Sequence, residues 1–215
     1  MKKISLLFVM LFACMAMSAQ ITWNVKAGAG IATVTGLNGD GETLTKVGWK
    51  IGVGIEKPLS ANWLIMPTLE FKQKGCAWKE IDRENDFWLE EDVNVPYVQL
   101  PVLAAYRLRL NDEMNLTLKA GPYFAYALSA KCKYKEYWNG EMYEDEYDLF
   151  DSIDIDEDTS TSRFDCGLAL GADVEYHRFV VGAEVEYGLI PVIKNDFLNQ
   201  KIRNISAYVT VGYKF

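Results

Sequence analysis

The stretch "NISAYVTVGYKF" at 204–215 decides the fold. Ile205, Ala207, Val209, Val211, Tyr213 and Phe215 fall on one face of a period-two strand, and Asn204, Ser206, Tyr208, Thr210, Gly212 and Lys214 on the other, because successive strand side chains point to opposite sides. A strand that is apolar outward and polar inward is what a closed sheet needs when it stands in lipid.

Working outward from this strand, period-two runs and their breaks predict eight strands at 22–33, 47–57, 62–74, 94–108, 114–128, 163–176, 179–190 and 203–215. Runs of eleven to fifteen residues suit tilted membrane strands better than those of a soluble sandwich. The facing agrees between strands. Trp49, Ile51, Val53 and Ile55 oppose Lys50, Gly52, Gly54 and Glu56, and Val181, Ala183, Val185 and Tyr187 oppose Gly182, Glu184 and Glu186. Breaks after strands two, four and six are tight ("PLSAN", "RLND", "HR"), whereas the others are longer and the largest runs from about 129 to 162. This asymmetry separates periplasmic turns from extracellular loops. The expected fold is all-β, an eight-stranded antiparallel up-and-down transmembrane β-barrel in the cell outer membrane with both termini periplasmic.

The opening "MKKISLLFVMLFACMAMSAQ" runs from two lysines through an apolar segment to the small residues Ser18 and Ala19, the order of a secretory signal. A signal peptide at 1–19 and a barrel domain at 20–215 are expected; a lipid-modified Cys14 is the minority reading. No other stretch reaches the roughly 18 apolar residues of a spanning helix. Loss of Lys2 and Lys3 with the leader lowers the basic count from 22 to 20 against 30 acidic residues, so a net charge of -8 becomes -10. Such a chain repels nucleic acid. Cys76, Cys132 and Cys166 allow at most one internal disulfide and read as small apolar side chains. With one histidine, His177, and neither C-x-x-C nor H-E-x-x-H, no thiol redox centre, histidine metal site or other cofactor is expected.

The face turned inward carries Lys26, Lys50, Glu56, Glu70, Lys72, Arg107, Lys119, Asp165, Asp173, Glu175, Glu184, Glu186 and Lys214. Isolated charges in a narrow lumen are costly. The candidate network is Lys26, Lys50, Glu70, Arg107, Lys119, Asp173, Glu184 and Glu186, with Arg107 and Lys119 expected to pair with Glu70, Glu184 or Glu186. A lumen crossed by such pairs is plugged; the alternative is a narrow porin-like channel for ions or small solutes. Glu184 and Glu186 stand beside no recognisable nucleophile and no Ser–His arrangement is apparent, so no enzyme is expected. Glycines such as Gly30, Gly167 and Gly171 fall on the inward face, where they make room for long neighbours. "GAGIATVTG" precedes no helix and is not a nucleotide-binding loop.

The loops remain. "KCKYKEYWNGEMYEDEYDLFDSIDIDEDTSTSR" at 131–163 begins basic and aromatic and turns acidic. A solvated acidic loop is the plainest reading. Weaker candidates are divalent-cation ligands at Glu144, Asp145, Asp154, Asp156 and Asp158, without an EF-hand pattern, and a contact surface using Tyr137, Trp138, Tyr143 and Phe150. The partners expected are outer-membrane lipid, the outer-membrane insertion machinery during biogenesis, and an extracellular ligand or protein at the loops.

Seven stretches carry a family resemblance: "VGWKIGVGIEKPLS" (47–60), "LEFKQKG" (69–75), "VPYVQLPVLAAYRL" (95–108), "LKAGPYFAYALSA" (118–130), "DCGLALGADVEY" (165–176), "VGAEVEYGLIPV" (181–192) and "RNISAYVTVGYKF" (203–215). In this order and spacing they resemble the outer-membrane β-barrel family common in Bacteroidetes, the porin-family or PorT-like proteins. Tyr97, Gln99 and Pro101 take the place of that family's tyrosine–carboxylate–proline strand, with Gln99 replacing the acid. The resemblance implies an integral outer-membrane protein; the porin label does not imply conduction.

Overall fold

The computed structural model describes residues 21–36, 42–82, 87–138, 141–152, 159–195 and 200–215. The expected leader, with Cys14, lies outside the described residues. Thirteen strands form among those described: β1 (Thr22–Thr35), β2 (Glu42–Leu44), β3 (Lys46–Pro58), β4 (Trp63–Asp82), β5 (Phe87–Arg109), β6 (Met114–Ala127), β7 (Lys131–Trp138), β8 (Glu141–Asp148), β9 (Thr159–Thr161), β10 (Phe164–Tyr176), β11 (Phe179–Gly188), β12 (Ile193–Asn195) and β13 (Gln200–Lys214). One short helix, α1 (Leu149–Ser152), follows β8. Among the described residues no helix is long and apolar enough to cross a membrane.

Eight of the strands close a ring by antiparallel pairing, in the order β1, β3, β4, β5, β6, β10, β11, β13 and back to β1. The eight-stranded up-and-down barrel expected from the sequence is therefore corrected: the fold is all-β with thirteen strands, of which the ring uses eight. Strands β4 and β5 run on for 20 and 23 residues, well past the predicted limits at 74 and 94. Beyond the ring they pair with each other, with β2 and with the β7–β8 hairpin, while β9 and β12 add a small sheet to the end of β13.

The missed strands have a physical explanation. Large aliphatic alternation marks a strand that faces lipid; β7 alternates lysines with only Cys132 and Tyr134, and β8 has no regular alternation. Their pairing is instead lined by opposite charges, Lys131 with Glu146 at 3.2 Å and Lys135 with Glu144 at 2.9 Å. A sheet extending into water needs no apolar outer face, so its strands read as loop.

In the ring the two faces separate cleanly. On the outside Val47, Ile51, Leu170 and Val209 are exposed, at 76%, 54%, 63% and 61%. Each large aliphatic left in water forgoes about 1.5–3 kcal/mol of burial, so this band is stable only against an apolar surround. Aromatics border it at the short-turn end: Trp63 packs edge-on to Tyr106 at 5.2 Å, and Tyr213 does so with Phe179 and Phe215 at 5.4 and 5.3 Å. The turns there are tight. Asn111 Oδ1 accepts the amides of Glu113 and Met114 at 2.9 and 2.7 Å, and His177 turns β10 into β11 at a φ of 53°.

Leu170→Arg, in the middle of the outer band, is expected to destabilise the refolded protein in lipid by about 2–4 kcal/mol, read from urea unfolding. Leu110→Arg, in the exposed short turn, should leave the midpoint unchanged.

Candidate functional site

Side chains two apart on a strand share a face, so Glu70, Lys72 and Lys74 of β4 form one inward ladder and Glu184 and Glu186 of β11 another. Strands β4 and β11 stand four places apart in the ring of eight, directly opposite each other. Long side chains from the two therefore meet in the middle.

They meet as a continuous alternation of charge. Lys26 Nζ lies 2.7 Å from Asp173, Asp173 is 3.0 Å from Lys119, and Lys119 is 3.1 Å from Glu184. Glu184 is 2.6 Å from Lys50, Lys50 is 3.1 Å from Glu70, and Glu70 is 2.8 Å from Lys72. Lys72 pairs with Glu186, which lies 3.2 Å from Lys74, itself 3.3 Å from Asp165. Five ammonium groups and five carboxylates thus form one unbranched chain, every member buried.

Below the chain, Arg107 and Lys214 share Glu56 and Glu175, with Lys214 at 2.8 and 2.5 Å and Arg107 3.6 Å from Glu175. The interior network therefore balances seven basic against seven acidic groups. Above the chain, Asp165 accepts the Tyr123 hydroxyl at 3.2 Å and Asn204 Nδ2 at 2.9 Å. Aromatic faces complete the packing around the cations: Lys72 lies 4.9 Å from the Tyr208 ring centroid and Lys74 4.3 Å from that of Tyr123, distances at which a ring attracts a cation. Two glycines make this arrangement fit. A Cβ at Gly167 would lie 2.6 Å from the Tyr123 ring, and one at Gly171 2.7 Å from Lys119 Cε.

Little space is left. The cavity bordered by Lys26, Lys50, Glu70, Lys119 and Glu184 measures about 10 Å³, at the lower limit of what one water molecule needs. Glu70, Glu184 and Glu186 can each bring an oxygen within 4.8 Å of the others, a spacing a metal ion could use. Lys50 and Lys72 already supply positive charge to those carboxylates.

Of the network residues named from the sequence, Lys26, Lys50, Glu70, Lys119, Asp173, Glu184 and Glu186 lie in the one chain. Arg107 does not: it pairs with Glu56 and Glu175 rather than with Glu70, Glu184 or Glu186. Lys74 was missed, although its i, i+2 relation to Lys72 places it on the same face. In the loop region, Glu144 faces Lys135, and Asp145 accepts the Glu146 amide at 2.8 Å; Asp154, Asp156 and Asp158 lie outside the described residues. Cys76, Cys132 and Cys166 are free thiols. Burial pushes the Cys76 thiol up to about 11, which leaves it protonated and a weak nucleophile at neutral pH.

Removing a shared carboxylate such as Glu186 leaves two cations with one partner each, here Lys72 with Glu70 and Lys74 with Asp165, and leaves the interior with one uncompensated positive charge. Glu186→Ala should cost about 3–5 kcal/mol in denaturant unfolding, because Lys72 and Lys74 both lose a partner. Lys26→Met should cost clearly less, since Asp173 keeps Lys119.

A family model described as outer membrane protein beta-barrel domain matches residues 16–194. A comparison with curated proteins finds no match. Among solved structures, the attachment invasion locus protein Ail of Yersinia pestis is 16% identical, with 90% of this chain and 98% of that chain covered and a TM-score of 0.41. OprG of Pseudomonas aeruginosa is 12% identical over 89% and 95%, with a TM-score of 0.44. Neisserial surface protein A is 13% identical over 90% and 97%, with a TM-score of 0.39.

Proposed function

We propose that this chain, which belongs to the family of outer membrane protein β-barrel domains, is a non-conducting outer-membrane protein with a structural interior and its working surface at the long-loop end. The family places it in the outer membrane, and lipid is the surround its exposed apolar band requires. The observation that carries the reading is the unbroken alternation of five lysines and five carboxylates across the interior. An ion entering it would have to separate paired charges that have almost no water to replace the lost partner.

The termini are assigned to the periplasm because the tight turns share their end of the ring, and insertion is assigned to the outer-membrane insertion machinery. The Bacteroidetes porin-family or PorT-like grouping rests on the sequence stretches that resemble it. A non-enzymatic role is supported by the pairing of the interior carboxylates with lysines, which leaves Glu184 and Glu186 engaged rather than poised as acid and base. The acidic extracellular segments would then act as contact surface.

Planar-bilayer recording of the refolded protein tests this directly. No reproducible steps are expected at low voltage. A steady, ion-selective conductance would replace the reading with a narrow channel.

A further inference from the structure

Above the ion-pair chain, at the long-loop end, lies a cavity of about 340 Å³. Its floor includes Tyr97 and Asn204; Asn204 Nδ2 donates to Tyr97 Oη at 3.3 Å and to Asp165 at 2.9 Å, where the chain ends. The cavity is therefore a dead end above a filled interior. Its walls are largely apolar, with Val34, Val93, Val95, Phe150 and Ile202 among them.

One wall residue breaks that pattern. Glu91 of β5 lines the cavity and is half-buried, and neither of its oxygens is among the sealed, unpartnered atoms of the described residues. Its cross-strand neighbours on the same face are Trp78 of β4 and Tyr134 of β7. Neither brings a positive charge, and Tyr134 donates its hydroxyl to Glu136 at 2.5 Å. Along β5 the residues that share its face are Leu89 and Val93. Cys76 and Cys132 flank Val93, and burial raises both thiols, so they stay neutral.

Cations in this part of the molecule are engaged elsewhere. Lys46 pairs with Asp92 and Lys135 with Glu144 at 2.9 Å. Arg163 lies 4.2 Å from the Phe150 ring centroid and donates to the Leu128 carbonyl at 3.1 Å. Burial thus acts unopposed on the Glu91 carboxyl and raises it above the usual range. Each charged group of the ion-pair network below has a counter-charge; among the described residues Glu91 has none. A carboxylate held in an apolar wall without a counter-charge is a cost that an incoming cation relieves and an incoming anion worsens. The rings of Trp78, Tyr97 and Phe150 in the same lining are surfaces that also attract a cation. The volume sits at the lower end of the roughly 300–1,000 Å³ typical of small-molecule sites, which suits one compact molecule and not a segment of another protein.

We propose that this cavity binds a compact organic cation, an ammonium group on an apolar or aromatic body, with the ammonium against the Glu91 carboxylate and the body against the apolar walls. The assignment goes beyond the non-conducting reading and is independent of it, since the cavity lies above the chain whether or not the chain conducts.

The test uses the protein refolded in nanodiscs of zwitterionic phosphatidylcholine, titrated at neutral pH with 4-fluorobenzylamine, a cation, or with 4-fluorobenzyl alcohol, its neutral counterpart of the same size. Binding is followed by fluorine NMR against empty nanodiscs. Saturable binding of the amine is expected, roughly tenfold or more tighter than that of the alcohol. Glu91→Gln, which keeps the shape and removes the charge, should abolish that advantage and leave the alcohol unchanged. Glu144→Gln, on the opposite face of the sheet, should alter neither. Val34→Trp, which fills the cavity, should abolish amine binding while heat-modifiable migration on gels reports an intact fold. Amine signals identical to those of empty nanodiscs would overturn the site. Equal binding of the two probes, or an amine affinity that survives Glu91→Gln, would overturn the ligand class. Equal losses in Glu91→Gln and Glu144→Gln would mean capture by the acidic surface and would overturn the proposal as well.

Discussion

A ring of eight strands has interior room for about one set of side chains, and here much of that set is charged, beside a buried apolar cluster that includes Leu64, Met66 and Leu103. A lone carboxylate or ammonium removed from water carries a penalty of several kcal/mol even after relaxation. The interior is tolerable because each ammonium in the chain from Lys26 to Asp165 lies against at least one carboxylate, and each carboxylate except the terminal Asp165 against two ammoniums. Such pairs add little net stability over well-packed apolar groups. Their effect is on register. A slip of one residue in β4 would turn Glu70, Lys72 and Lys74 into the lipid and bring Leu69, Phe71 and Gln73 inward, and Glu186 on β11 would lose both of its counter-charges and Lys50 on β3 one of two. The apolar outer band and the charged interior are thus one constraint seen from two sides.

The ring was legible in the sequence wherever lipid imposes alternation. Val209 and Val211 against Thr210, or Val98 and Leu100 against Gln99, announce both strand and facing from residue type alone. The pairing partners were less accessible. Arg107 sits near the short-turn end of β5, so its height in the ring brings it to Glu56 and Glu175, and no property of the local sequence fixes that height. Lys74 stood at the predicted end of its strand, on the face of Lys72, where the strand was expected to stop rather than continue to Asp82.

Outside the membrane band the sequence signal changes character. Strands β7 and β8 are specified by cross-strand charge and by aromatic contacts such as Trp88 with Tyr137, whose rings stack at 6.3 Å, and neither produces a greasy face. Strands β2, β9 and β12 are three residues each, too short for periodicity to register. The cavity could not have been read in advance, because Val34, Trp78, Phe150 and Ile202 come from four separate segments that only the extension of β4 and β5 brings together. The two ends of the molecule thus follow different rules: charge pairing closes the interior, and a largely apolar chamber opens above it.

The central claim is that the interior is a dry, continuous chain of ion pairs, and nitrogen-detected NMR of the lysine ammonium groups in nanodiscs addresses it most directly. Lys26, Lys50, Lys72, Lys74 and Lys119 should give ammonium resonances whose protons exchange with water far more slowly than those of exposed lysines such as Lys131. Exchange of these five groups at the rate of surface lysines would mean a hydrated lumen and would contradict the account.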